Sequence, residues 1–146
     1  MRGCQPFCLP ASDNELAEAQ SALDDYASFD NLLKYVSCLA RSNDEHNVAK
    51  AITYIDSAHS MHESHGNEDT LSEFLIFCYY RLRQDDSAKS AIQTATAKGI
   101  KSKIITGIKQ YYEEETLNDA ALYVGAGGII AGAALLLFSL FRRKRN

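Results

Sequence analysis

Ala51-Ile52-Thr53-Tyr54-Ile55-Asp56-Ser57-Ala58 and Ala88-Lys89-Ser90-Ala91-Ile92-Gln93-Thr94-Ala95 set Ala, Ile and Ala at identical internal spacing, 37 residues apart in a chain of 146. Steps of four and three place those side chains on one face of a helix. Alanine at two of the three positions lets a neighbouring helix come close, so each stretch reads as the second helix of a closely packed pair. Leu75 and Tyr79 precede the second copy at matching helical steps. Tyr35 and Leu39 stand in the equivalent places before the first, which predicts a turn about three residues longer there.

The pattern is a degenerate tetratricopeptide signature, lacking the tryptophan-like and proline positions of that motif. Ser12-Asp13-Asn14-Glu15 has capping-box spacing and opens a first helix to about Tyr26, with Leu16, Ala19 and Leu23 on its face. Asp30 is the expected cap of a second helix carrying Leu32, Leu33, Tyr35, Val36 and Leu39. A third opens at Asn43 or Asp44, bears Val48, Ala51, Ile52, Ile55 and Ala58, and closes near Gly66. Asn67 caps a fourth with Leu71, Phe74, Leu75, Cys78, Tyr79 and Leu82, and Asp85 a fifth that ends at Gly99. Ser102 caps a sixth with Ile105, Ile108 and Tyr112 inward. No stretch alternates with period two for long enough to argue a strand. The prediction is an all-α, TPR-like six-helix bundle: two repeats with a capping helix at each end, presenting one concave face. Residues 12–117 form this domain, and residues 1–11 are expected to be a flexible arm.

From Ala120 to Phe141 the chain runs 22 residues without a charge. As a helix that is about 33 Å, enough for a bilayer core of about 30 Å. The sequence therefore predicts one C-terminal transmembrane helix, residues 120–141, followed by a basic tail, residues 142–146, with Arg142, Arg143, Lys144 and Arg145. A buried core helix is the competing reading, but such helices are rarely apolar all round and rarely stop at a basic block. Ala121 with Gly125, and Gly128 with Gly132, have small-xxx-small spacing, which predicts self-association through the span; the plainer reading is that Gly and Ala keep the tail weakly hydrophobic. No signal peptide is legible at Met1 to Pro10, so the domain is expected to face the cytosol although the positive-inside rule alone would put the basic tail there.

All 19 acidic residues precede Ala120, against 11 basic ones in the same part, which gives it a net charge of −8. An acidic body disfavours nucleic acid as a partner. Cys38 and Cys78 sit in apolar helical patterns and, with Cys4 and Cys8, read as free thiols in a reducing compartment.

Tyr35-Val36-Ser37-Cys38-Leu39-Ala40-Arg41-Ser42, then Tyr80-Arg81-Leu82-Arg83, then Ala88 and a Gly/Ala-rich tail closing in basic residues, resemble in that order the mitochondrial fission 1 protein family, over roughly Asn31 to the C-terminus. Met1 to Pro10, with its two cysteines, has no counterpart in the resemblance. The resemblance implies a tail-anchored adaptor of the mitochondrial outer membrane and peroxisomes, whose groove docks the dynamin-related fission machinery. On this reading Arg41 and Arg81 offer charge-assisted contacts to a partner segment, over an apolar floor of Tyr35, Leu39, Phe74 and Cys78. The plain alternative is that the apolar residues are core and the arginines pair with neighbouring acids. Ala120, Gly125, Gly128, Gly132 and Phe141 mark the anchor, and Arg142 to Arg145 the targeting signal.

Other chemistries find less support. The chain has no GxxxxGK loop, no G-x-S-x-G elbow and no carboxylate pair in an evident cleft, so no enzyme and no cofactor are expected. His59, His62 and His65 step by three and drift around a helix, so they read as a solvated helix end more than as a metal site, even with His46, Glu63, Cys4 or Cys8 as further candidates. A TPR receptor for chaperone-bound or imported proteins needs Lys and Asn donors on the inner faces, where this repeat has mainly Tyr, Leu and Phe. A SNARE-type fusion protein needs a long heptad helix, which Gly66 and Gly99 interrupt.

Overall fold

The computed structural model describes residues 1–127. Among these residues there is no strand, and six α-helices follow in order: α1 (Asp13–Asp25), α2 (Phe29–Arg41), α3 (Glu45–His59), α4 (Glu68–Arg81), α5 (Asp85–Ala97) and α6 (Lys103–Gly127), with a 3-10 turn (His62–Gly66) before α4. Each of α1 to α4 packs on its successor, α4 on α5, and α2 also meets α4. An all-α six-helix bundle is therefore what the sequence pattern builds.

The repeated triplets decide the packing. Ala51, Ile55 and Ala58 are fully buried, and Ala88, Ile92 and Ala95 nearly so. They line the core with Val36, Leu39, Val48, Leu71 and Ile76. One detail of the repeat departs from the expected layout. Ser42–Asp44 and Leu82–Gln84 are turns of the same length, three residues each, so the extra residues of the first copy lie in the first turn of α3. Arg41 and Arg81 consequently occupy matching positions, the last residue of α2 and of α4.

Helix ends follow the local chemistry. Ser12 Oγ accepts from Glu15 N as the capping box requires. For α2 the cap is Ser28 rather than Asp30: its Oγ takes Asn31 N–H, while the Asn31 amide donates to the Ala22 and Tyr26 carbonyls and ties the end of α1 to the start of α2. Asp85 lies inside α5 with its carboxylate committed to Arg2. Asn67 stands at the N-terminus of α4, but its side chain donates back to Glu63 O. Ser102 Oγ accepts from Ile105 N, and its hydroxyl bonds the Glu73 carboxylate.

Two helices end through a left-handed residue. Gly99 takes φ +74° after α5, and Ile100 N–H reaches back to Ala95 O at 3.0 Å. Arg83 takes φ +57° after α4 without being glycine, with Gln84 N–H bonded to Tyr79 O at 3.0 Å. A Cβ in this region costs energy that glycine avoids. Arg83→Gly is therefore expected to raise unfolding stability by about 1 kcal/mol in urea denaturation; a loss of stability would show that the Arg83 side chain contributes more than its backbone strain costs.

Residues 1–109 form one compact unit, and the described residues from 110 onward belong to a second. In the second, the described part is helical. There Gln110 Nε2 donates to Glu114 at 2.8 Å, and Thr116 Oγ1 to Tyr112 O. Ala120 and Gly125 fall on α6; Gly128, Gly132, Phe141, Arg142, Arg143, Lys144 and Arg145 lie outside the described residues. Among the described residues no helix is long and apolar enough to cross a membrane.

Candidate functional site

Arg81 is the largest fully buried side chain of the described residues. Its guanidinium spends its donors on three main-chain carbonyls: Nη1 on Ala40 O at 2.7 Å and Ser42 O at 2.5 Å, and Nε on Arg2 O at 3.0 Å. Ala40 and Ser42 close α2, whose last carbonyls have no partner within the helix and carry the negative end of its dipole. The cation thus caps a neighbouring helix from inside the core, with Phe77 contributing its ring face 5.9 Å away.

The third carbonyl belongs to the N-terminal arm. That segment, expected to be flexible, is laid across the C-terminal ends of α2 and α4. Arg2 N–H donates to Arg81 O at 2.8 Å while Arg81 Nε answers Arg2 O, a reciprocal pair of bonds. The Arg2 guanidinium also donates to Asp85 at 2.6 Å and to Tyr80 O at 2.9 Å, and stacks 4.9 Å from the Tyr80 ring centre. Cys4 is buried at 2% exposure. Phe7 meets Tyr80 edge to face with ring centres 5.5 Å apart. At the far end of the arm, Ala11 N–H bonds Arg41 O at 3.1 Å and Arg41 Nη1 bonds Leu9 O at 3.2 Å.

Both arginines of the sequence-derived groove therefore hold a peptide segment, and that segment is the chain's own. Arg41 also pairs with Glu15, and this bond holds the Glu15 carboxyl below the usual glutamate range. The apolar floor divides differently. Leu39 and Cys78 are fully buried core, and burial pushes the Cys78 thiol up to about 12. Tyr35 is turned to α3, where its hydroxyl accepts from Lys50 Nζ at 2.9 Å and its ring meets Tyr54 edge-on. Phe74 alone of these four is half-exposed. None of the six residues lines the open cleft of about 550 Å³ between α4 and α5, whose floor is Leu75, Ile76, Tyr79, Ala91 and Ala95.

The seat of Phe7 depends on a residue that the helical pattern did not single out. A Cβ at Gly107, on α6, would lie 2.6 Å from Phe7 Cε1. Glycine inside a helix ordinarily costs about 1 kcal/mol against alanine. Gly107→Ala should therefore strengthen α6 while overpacking the Phe7 seat by about 1–3 kcal/mol. The expected result is faster amide hydrogen exchange at Phe7 and Cys8 with a melting temperature unchanged or slightly lowered. Unaltered arm protection would mean that the ring moves aside freely.

Arg2 and Phe7 carry only a slight signal in the sequence, a cation and an aromatic in a short arm that has no repeat pattern to interpret them by, and nothing local to Tyr80 and Asp85 marks them as their partners. The histidines do not converge, since α3 ends at His59 while His62 and His65 fall in the 3-10 turn with ring centres 6.0 Å apart. Among the described residues no three His, Cys, Asp or Glu side chains are placed to hold a metal ion. Comparison of the chain with family models, curated proteins and solved structures finds no match.

Proposed function

We propose that the chain is a tail-anchored, non-enzymatic adaptor of the mitochondrial outer membrane, and of peroxisomes, which recruits the dynamin-related fission machinery through its TPR-like helical domain. The observation that carries this reading is the arm seat. The N-terminal arm lies across the ends of α2 and α4 with its main chain bonded to Arg41 and Arg81. A surface that holds one peptide segment by backbone bonds and an aromatic pocket has the chemistry to hold another. The motif resemblance in α2 and α4, and the uncharged run from Ala120 to Phe141, supply the organelle and the anchor. Force and GTP hydrolysis then belong to the partner.

The test uses cells. A fluorescent fusion of the full chain is expected at the mitochondrial surface, residues 116–146 alone should go to the same place, and loss of the protein should leave mitochondria elongated. Delivery of the tail fusion to the endoplasmic reticulum would remove the localisation, and unchanged organelle length on loss would remove the fission role.

A further inference from the structure

The arm carries two of the four cysteines, four residues apart, and the repeat packing uses neither. Cys4 and Cys8 bracket a single closed turn: Phe7 N–H bonds Cys4 O at 3.0 Å, Cys8 N–H bonds the same carbonyl at 3.2 Å, and Cys8 Sγ lies 3.9 Å from it. A turn closed by bonds from residues 7 and 8 to the carbonyl of residue 4 folds the two cysteines back toward each other. A disulfide spans Cα separations of about 4.4–6.8 Å, the scale of such a turn. Both thiols are free. Arg2 and Phe7, the residues that clasp the arm to Asp85, Arg81 and Tyr80, lie on either side of Cys4.

We propose that Cys4 and Cys8 form a reversible disulfide that fixes the arm's turn and so holds the arm on the ends of α2 and α4. The inference rests on the arm being the cover of the proposed docking surface, though its test requires no partner. The oxidant is a peroxide. The Cys8 thiolate attacks one peroxide oxygen, the O–O bond breaks, and a sulfenic acid and hydroxide form. Cys4 then displaces the sulfenic oxygen, making the S–S bond. With the thiol protons counted, two thiols and one hydrogen peroxide give one disulfide and two waters. A dithiol reductant reverses the reaction by exchange.

The seated arm protects its own thiols. Cys4 is buried, and burial together with the neighbouring Cys4 pushes the Cys8 thiol up to about 11, so it stays protonated and slow at neutral pH. Oxidation therefore proceeds from the lifted arm, where Cys4 is exposed and the Cys8 thiol returns to an ordinary range. Closing a ring of five residues removes chain entropy from the lifted arm alone, which favours seating by about tenfold or more. A surface freed by a partner is then the state that oxidises, and the oxidised arm competes for its seat more strongly.

The experiment takes the full chain in lipid vesicles through a hydrogen peroxide titration, with mass-spectrometric mapping of thiols and hydrogen exchange at Arg2, Phe7, Cys8 and Ala11. The expected results are a Cys4–Cys8 linkage reversed by dithiothreitol, and exchange at those amides slowed about tenfold on oxidation, with Cys8→Ser unresponsive. A Cys8–Cys38 linkage in its place, or a Cys4–Cys8 linkage that leaves exchange unchanged or speeds it, overturns the proposal. Because no partner is present, a failed recruitment assay would count against the docking reading and leave this result standing.

Discussion

Arg81→Ala is expected to cost about 3–5 kcal/mol of unfolding free energy, a large share of what a small domain has. The change removes the donors serving Ala40 O, Ser42 O and Arg2 O and leaves a cavity where a fully buried side chain stood. Buried carbonyls stripped of their partner lose about 1–3 kcal/mol each, less where water can enter, and water reaches Arg2 O most readily once the arm lifts. Lysine keeps the charge but presents a point donor where a planar fork is needed, so Arg81→Lys should recover only part of the loss. Arg41→Ala is the internal control. That residue is half-exposed and pairs with an exposed carboxylate, an arrangement that solvent screens and that contributes little to stability. Urea denaturation of the three variants checks the ordering. An Arg81→Ala protein within about 1 kcal/mol of the parent would mean that the α2 end relaxes to water without the guanidinium.

The contrast between these two arginines marks where the sequence stopped being readable. Both close a helix at the same place in the repeat, both precede a three-residue turn, and nothing local distinguishes them. Periodicity located all six helices because burial of Ala51, Ile55, Ala88 and Ile92 is a property of the helix that bears them. The fate of Arg81 is not such a property. It is set by the carbonyls of α2, some forty residues earlier, and by Arg2 at the chain start. The same holds for the arm. Its seat is made by residues 41, 80, 81, 85 and 107 together, and no pattern within residues 1–11 encodes that meeting. The cap expected at Asp85 failed for a related reason: a carboxylate with a guanidinium at 2.6 Å is better used there than on its own helix N–H groups. Tyr35 and Leu39 were correctly placed on an inner face of α2, yet whether an inner face meets a partner or another helix is decided by packing that spacing does not specify.

On the proposed adaptor reading, removing residues 1–11 is expected to raise recruitment of the partner about 30- to 100-fold at sub-saturating partner, while lowering unfolding stability by about 2–3 kcal/mol. The argument begins with the seat. One charge-assisted pair to Asp85, the reciprocal backbone bonds with Arg81, a buried Cys4 and an aromatic contact to Tyr80 oppose the entropy of ordering a short arm. A net gain of about 2–3 kcal/mol would leave only one molecule in about 30 to 100 open, and apparent affinity is reduced by that fraction. The stability loss has the same origin, since without the arm Arg81 forfeits the Arg2 carbonyl and the Cys4 site opens to water. The energy of the seat can be measured without any partner. A synthetic peptide of residues 1–11 added to the truncated protein should rebind with a dissociation constant of about 10–30 μM, given an effective concentration near ~1 mM for a short tether. Peptides carrying Arg2→Ala or Phe7→Ala should bind at least about tenfold more weakly, because each removes one of the two clasps. A peptide that fails to bind at millimolar concentration would show that the arm is held by chain connectivity alone. If the peptide binds as expected but truncation lowers recruitment, the arm is part of the docking surface and does not close it.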